Sequence, residues 1–346
     1  MKKVRNAIVG LGRIGSSLED DRLREKPASH AGVIYAHPEC DLVGGCDIKE
    51  KKRRAFARRW GCRAVYASVE EMLEHTRPDI LHIATPPQTH LEMVKKALRH
   101  RIPLVICEKP LAGTRLEAYR IARLHATGAI TILTNHERRY SEDYKRAKRA
   151  VDAQHFGTLR SITAKITMEQ RTPLSSILWN DGTHLIDALH FLTSEQMKVH
   201  AVHGDLSQAE GSVYILGIAG AVPVMVDAGA GRDYLLFEID LGCDSGRIRI
   251  GNGIYEEYRS DESPYYECMR SLRKVKVEPE KPGMWPEGPT RYFTGMLEDA
   301  LFCLREKERH PVSSAVDGYL ALAVIDRALR LGTRALREYR ALKPQH

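Results

Sequence analysis

Six short apolar runs, separated by amphipathic stretches, organise the first part of the chain. Val4–Val9, Leu42–Cys46, Ala64–Tyr66, Ile80–Ala84, Leu104–Cys107 and Ile130–Thr134 read as strands. Glu50–Trp60, Val69–His75, Thr89–His100 and Arg115–Thr127 carry apolar residues at helical spacing. Strands apolar along their whole length, alternating with helices, predict a parallel sheet covered on both faces. After a helix near Tyr140–Ala153 the texture changes. Strands are expected at Ser161–Met168, Lys198–Gly204, Ser212–Ile218, Val222–Asp227, Tyr234–Leu241 and Arg247–Ile250, with one helix at Thr183–Leu192. Most follow one another without an intervening helix, and Gly242–Gly246 reads as a hairpin turn, so this sheet is expected to be mostly antiparallel. Helices at Arg291–Arg305 and Ala315–Leu331 close the chain, after a proline-rich stretch at Glu278–Pro289 that reads as an ordered loop.

The expectation is therefore an α/β chain of two domains. Residues 1–135 form a doubly wound parallel sheet, and residues 136–346 an α+β domain with a large open sheet, the last helix able to pack back on the first domain. A length of 346 residues suits two cores. Several strands of the second sheet carry apolar residues in both parities, as in Val222 to Val226 and Leu235 to Ile239. Burial of its outer face against another subunit is expected, giving a homodimer or homotetramer.

Composition narrows the class. No apolar run approaches the roughly 20 residues of a membrane helix, and Met1-Lys2-Lys3 leads into a strand without a signal-peptide cleavage site. Seven scattered cysteines with no C-x-x-C spacing argue against a disulfide framework and fit a reducing cytoplasm. The net charge of +8 arises largely from basic clusters at Lys49–Arg59 and Arg138–Arg149, both interleaved with apolar residues at helical spacing. They read as solvated helix faces rather than a nucleic-acid surface, and their field favours an anionic ligand.

The first strand runs into Gly10-Leu11-Gly12-Arg13-Ile14-Gly15, and Asp47 closes the second strand. Glycines in that context let the backbone approach a pyrophosphate at a helix start, the arrangement of a Rossmann dinucleotide site. Asp47 would accept hydrogen bonds from ribose hydroxyls and repel a 2′-phosphate, favouring NAD over NADP, against which Lys49, Lys51 and Lys52 act. Asp47 lies 32 residues beyond Gly15, where roughly 20 is usual. The excess falls on the polar stretch Ser16–Ser29, so the helix is expected to resume only at His30. That insertion either caps the cofactor cleft or is a passive surface loop.

Ligands of open α/β sheets bind outside the carboxyl ends of the strands. Ala84, Thr85, Pro86 and His90 should therefore meet the nicotinamide side of the cofactor, beside Glu108 and Lys109 from the neighbouring strand. A lysine at the end of a buried strand is costly unless chemistry needs it, although Glu108 could neutralise it; Pro110 is a candidate cis proline. In the second half, Trp179-Asn180-Asp181-Gly182-Thr183-His184 leads into a helix with Asp181 as its expected N-cap. His184 near that N-terminus is favoured as the neutral form a general base needs, with Asp187 on the same side and Leu185, Leu189 and Leu192 toward a core. Arg138 and Arg139 are candidate anion ligands, or else structural ion pairs. Trp285 and Tyr292 could stack on a sugar ring or simply pack. His200 and His203 face opposite sides of a strand and make a poor metal pair; His184, Asp187 and His190 are a looser one, and no metal is expected.

Taken together, the glycine motif, Cys46-Asp47, Ala84-Thr85-Pro86-Pro87, Glu108-Lys109-Pro110-Leu111-Ala112, Asn135 through Tyr140 and Gly182-Thr183-His184 with Asp187 resemble the Gfo/Idh/MocA oxidoreductases over nearly the whole chain. The resemblance implies oxidation of a secondary alcohol of a sugar or cyclitol with NAD or NADP, with Lys109 and His184 as the catalytic pair and both as substrate contacts. Where the family often has a carboxylate four residues before the histidine, this chain has Asn180, with Asp181 one place later. Either Asp181 substitutes or His184 works without it. Some relatives instead use NAD transiently, in elimination or glycoside cleavage, and a few only sense the dinucleotide.

Overall fold

The computed structural model describes residues 3–277, 290–306 and 309–342. The proline-rich stretch with Trp285 lies outside them. The chain divides into two compact units, Met1–Tyr140 with Arg291–Tyr319, and Ser141–Thr290 with Leu320–His346.

In the first unit β1 (Val4–Val9), β2 (Cys40–Cys46), β3 (Val65–Tyr66), β4 (Ile80–Ile83), β5 (Leu104–Cys107) and β6 (Thr131–Thr134) form one sheet in the order β3-β2-β1-β4-β5-β6, all pairs parallel. The connections carry α1 (His30–Ala36), α2 (Glu50–Trp60), α3 (Val69–Thr76), α4 (His90–Arg99) and α5 (Arg115–Ala126). The order reverses between β1 and β4, which opens a crevice at their carboxyl ends. β4 and β5 are buried at every residue, which is why their sequences are apolar, His82 of β4 excepted, instead of alternating.

The second unit holds β7 (Leu159–Met168), β8 (Met197–His203), β9 (Gly211–Ala219), β10 (Val222–Ala230), β11 (Leu236–Cys243), β12 (Gly246–Gly251), β13 (Ile254–Glu262) and β14 (Arg270–Val275). Their order is β14-β13-β12-β11-β7-β10-β9-β8, antiparallel except for β7 with β10. Its helices α6 (Glu142–Asp152), α7 (Leu174–Asn180) and α8 (Gly182–Thr193) contribute to one core with the sheet. Leu185, Leu189 and Leu192 are fully buried there with Ile162, Val213, Val226 and Ile239. The expected hairpin turn is present, two residues long, between Cys243 and Gly246.

The other face of this sheet is mixed rather than apolar. Tyr214, Leu216 and Met225 are exposed on β9 and β10. On β11 to β14 the outward positions are charged and paired across strands: Arg247 with Asp240, Arg249 with Glu238 and Glu256, and Lys274 with Glu256 at 2.7 Å. β13 and β14 were not expected from the pattern because their charged residues hide the alternation.

Two helices complete the chain, α9 (Tyr292–Arg305) and α10 (Ala315–Leu342). A single boundary near residue 135 would assign both to the second domain. Instead Phe293, Met296, Leu297 and Ala300 of α9 share a core with Ile8, Ile80, Leu104 and Leu133 of the parallel sheet. Tyr140 Oη donates to Asp299 Oδ2 at 3.0 Å, and the same oxygen accepts from Val312 N at 2.8 Å. The last helix divides: its opening residues belong to the first unit, while Ala321, Val324, Ile325 and Ala328 join the second core. Among the described residues no helix is long and apolar enough to cross a membrane. All seven cysteines are free.

Tyr140 is buried, so Tyr140→Phe leaves the Asp299 carboxylate short of a donor. Urea unfolding should show a loss of about 1.5–3 kcal/mol, the range for a hydrogen bond to a charged group.

Candidate active site

The turn after β1 is built by two glycines of different use from the third. Gly10 has φ +93°, and a Cβ there would lie 2.4 Å from the Ala84 carbonyl oxygen. A Cβ on Gly15 would lie 2.0 Å from the Gly10 carbonyl oxygen. Gly12 meets only the tip of Lys52, at 3.3 Å, so its backbone is the part open to a phosphate. Arg13 is exposed beside it, 3.8 Å from Asp21, and Ile14 is half-buried. Asp47 clasps the turn: Oδ2 accepts from Leu11 N at 3.0 Å and Oδ1 from Lys49 N at 2.9 Å, with Lys52 Nζ 3.5 Å from Oδ2. These residues fit a dinucleotide pyrophosphate and ribose.

The helix does resume at His30. Backbone bonds His30 N to Ile14 O and Ala31 N to Gly15 O, both 3.1 Å, let α1 restart where the glycine turn left off. The intervening residues are tied to that start. Glu19 Oε1 accepts from Ala28 N and Ser29 Oγ, Ser29 Oγ caps Gly32 N, and Trp60 Nε1 donates to Ser16 Oγ at 2.8 Å.

At the ends of β4 and β5 the candidates separate. Thr85 and Thr89 hydroxyls bond each other at 2.7 Å, and Pro86 is exposed. His90, expected as a cofactor contact, is fully buried. Its Nε2 faces the Thr85 carbonyl at 2.8 Å and its Nδ1 the Leu111 carbonyl at 3.2 Å. Burial pushes its pKa down, although both carbonyls favour the protonated ring. It pins the Glu108–Ala112 turn to the segment after β4, with both ring nitrogens facing backbone carbonyls. Lys109 stands half-buried at the end of β5, followed by a cis Lys109–Pro110 peptide.

Glu108 turns inward. Its Oε1 accepts from Asn135 Nδ2 at 2.6 Å and meets His30 Nε2 at 2.9 Å. His30 Nδ1 lies 2.9 Å from His82 Nδ1, and His82 Nε2 lies 3.1 Å from Asn6 Oδ1. Asn6, His30 and His82 have no exposed surface. Burial raises the Glu108 pKa, but the His30 hydrogen bond and charge, with Asn135 and Lys109, prevail and hold it below the usual carboxylate value. Nothing in the spacing of residues 30, 82 and 108 announces this chain.

Arg139, a substrate candidate, is committed elsewhere: Nη1 donates to Val312 O at 2.9 Å and Nη2 lies 3.1 Å from Asp317 Oδ1. It secures the segment between α9 and α10. Arg138 is buried, with Nη1 3.8 Å from Glu137 Oε1.

In the second unit α7 abuts α8. The sequence pattern did not reveal α7, and its presence changes Asp181. Instead of an extended N-cap, Asp181 has helical φ −110° and ψ −31°, and its side chain caps no amide. Its backbone N donates to Ile177 O, and its carbonyl accepts from His184 N at 3.1 Å. Asn180 Nδ2 bonds back to Ser176 O at 2.9 Å. His184 is half-buried and Asp187 fully buried one turn on. His190 Nε2 accepts from Met197 N at 3.1 Å, which makes it a structural residue and removes it from the looser metal set. Two buried polar atoms at this junction, Trp179 Nε1 and Thr183 Oγ1, have no hydrogen-bond partner among the described residues. Both lie in the Trp179–His184 stretch that the sequence singled out, which assigned neither of them a role of its own.

Three buried rings, His82, His90 and His125, have pKa values pushed below the ordinary 6.5, foremost by burial. Above that pH they are neutral folded or unfolded. Below it the unfolded chain binds protons that the folded rings refuse, so stability falls with pH. Urea unfolding across pH should show stability declining below 6.5, each ring adding up to about 1.4 kcal/mol per pH unit.

Residues 4–136 match the profile of an oxidoreductase family with an NAD-binding Rossmann fold, Gfo/Idh/MocA. Inositol 2-dehydrogenase of Salmonella typhimurium is 26% identical over 203 residues, which cover 57% of this chain and 56% of that protein. D-glucoside 3-dehydrogenase of Escherichia coli is 22% identical over 200 residues, 55% and 54% of the two chains. The chain thus spans little more than half the length of these curated relatives. The WlbA dehydrogenase of Bordetella pertussis, solved with NADH and UDP-GlcNAcA, has the same fold, with a TM-score of 0.74 over 96% of each chain at 18% identity. With its glycine turn, six-stranded parallel sheet and Glu108-Lys109-Pro110 turn, the segment 4–136 is an NAD-binding Rossmann domain of the Gfo/Idh/MocA oxidoreductase type.

Proposed function

We propose that this chain is an NAD-dependent dehydrogenase that interconverts a secondary alcohol and a ketone on a sugar, sugar derivative or cyclitol. The relatives named for inositol and D-glucosides support that substrate class. NAD, bound over the Gly10–Gly15 turn, supplies the hydride acceptor. His184 takes the hydroxyl proton, and Lys109 hydrogen-bonds the same oxygen and offsets its developing charge. In this reading Asn180 and Asp181 flank the reacting alcohol, Asn180 as a neutral polar contact, and Arg138 is the candidate for an anionic substituent. Asp47 disfavours a 2′-phosphate, so NAD is the preferred cofactor.

The observation that carries the reading is the position of Lys109, half-buried at the carboxyl end of β5, where ligands of open parallel sheets bind. Its neighbour Glu108 is held inward by His30 and Asn135, and the Lys109 charge helps to keep that carboxylate ionised. An enzyme has use for such a lysine; a passive dinucleotide binder does not.

The test is turnover of sugars, sugar acids, sugar phosphates and cyclitols with NAD, followed through both NADH and product. NADH should accumulate in step with ketone. Product without NADH would assign transient redox chemistry, and binding without product would assign a sensor. Lys109→Ala should lower kcat by about 10²–10⁴-fold with NADH affinity nearly unchanged; turnover within a few-fold of the parent would remove Lys109 from the mechanism.

The exposed Tyr214, Leu216 and Met225 support assembly through the outer face of the eight-stranded sheet. Sedimentation should return a dimer or tetramer, and Leu216→Glu should shift it toward monomer. A monomeric parent chain would contradict this.

A further inference from the structure

We propose that the buried chain His82–His30–Glu108 is a proton-sharing relay that holds one proton more than two neutral imidazoles and a carboxylate would carry, making His30 the positioning residue that balances Glu108 from inside. Its consequence for turnover rests on the role given to Lys109 above; the proton count does not.

Hydrogen-bond parity gives the count. Asn6 Nδ2 donates to the Val4 carbonyl at 2.9 Å, which fixes the amide and turns Oδ1 toward His82. His82 Nε2 must therefore carry a hydrogen. The His30–His82 contact needs one, and the contact between His30 Nε2 and the Glu108 oxygen needs another. Three contacts require three hydrogens, while two neutral rings bring two. An ionised Glu108 facing two neutral rings would set lone pair against lone pair at 2.9 Å.

The third hydrogen can be placed. Glu108 Oε1 already accepts from Asn135 Nδ2, and its carboxyl is held on the ionised side. Full burial drives the His82 ring toward its neutral form. The proton belongs on the middle ring, His30, where it makes a charge-assisted bond to Glu108. The α1 N-terminus opposes a cation there, but only through partial charges, whereas the carboxylate is in direct contact.

The groups around the relay come from every neighbouring element. β1 gives Asn6, β4 gives His82, the turn after β5 gives Glu108 and Lys109, the turn after β6 gives Asn135, and α9 gives the Phe293 ring, edge-on to His30 at 5.5 Å. His90 and Cys107 also sense the Glu108 charge. The Ser16–Ser29 insertion acquires a purpose here. By looping out between Gly15 and the restarted helix, it makes His30 the first residue of α1 and aims it at Glu108.

Two experiments on the full chain test this. In protein labelled with ¹⁵N-histidine, assigned by the resonances lost in His30→Gln and His82→Gln, three of the four ring nitrogens of His30 and His82 should carry hydrogens at neutral pH. Two would overturn the relay, whether or not the protein turns over substrate. Independently, His30→Gln keeps a donor toward Glu108 but not the proton, shifting the balance of the carboxylate onto Lys109. Its kcat should fall by about tenfold or more, and His30→Gln/Glu108→Gln should recover most of that loss. A double variant no better than the single one would mean that His30 serves only packing. If His30→Gln does not fold, the ring count in the parent protein decides, with the two rings assigned by through-bond correlation to their backbone resonances. Absence of dehydrogenase turnover with three protonated nitrogens would sink the proposed function and leave the relay standing.

Discussion

A carboxylate sealed at the end of a central strand has to be answered by donors, and that requirement organises the first unit. Removing a charge from water costs several kcal/mol even after relaxation, and a partly answered charge is worse than none. Glu108 meets the cost with His30 from the start of α1 and Asn135 from the turn after β6. Each of those then needs its own support: His30 leans on His82, and His82 on Asn6. One buried charge thereby ties β1, β4, β5, β6 and α1 together beneath the turn that presents Lys109.

The same logic explains which sequence signals were reliable. The six strands of the parallel sheet were legible because burial on both faces leaves little but apolar residues, and the glycine turn because Gly10 and Gly15 have no room for a Cβ. Elements whose stability comes from ion pairs or from neighbours were not. β13 reads Ile-Tyr-Glu-Glu-Tyr-Arg-Ser-Asp-Glu, and it is a strand because Glu256 and Tyr258 pair across the sheet with Arg249, Lys274 and Arg247. α7 is seven residues long and begins after Pro173, too short for periodicity to declare itself.

The candidate site was legible by residue type and less so by role. Lys109, the glycines and Asp47 stand where strand-end logic put them. His90 and Arg139 also lie close to that end of the sheet, yet backbone carbonyls claim both, which no spacing could reveal. The histidine that matters most to Glu108 lies 78 residues away in sequence, carried into place by an insertion that breaks the usual distance between glycine motif and acidic residue. A departure from the family spacing marked the place, but its meaning is three-dimensional.

Several polar groups around the candidate residues of the two units are spent differently, although Asn135 Oδ1 and Ser313 Oγ of the first unit are also buried with no partner among the described residues, and under the proposed function this divides the work between the units. In the first unit His30, His82, His90, Asn6 and Arg139 are each engaged by protein atoms at hydrogen-bond distance, which suits a rigid platform for cofactor and lysine. At the α7–α8 junction of the second, Trp179 Nε1 and Thr183 Oγ1 are buried with no partner among the described residues. Buried donors are rarely left so, and a sugar or cyclitol is a ring of hydroxyls able to satisfy them. Discrimination among such substrates depends on hydrogen bonds that a wrong hydroxyl pattern leaves unmade. Under the proposed function, substrate choice is therefore a property of the junction around His184, while the parallel sheet supplies chemistry common to many alcohols.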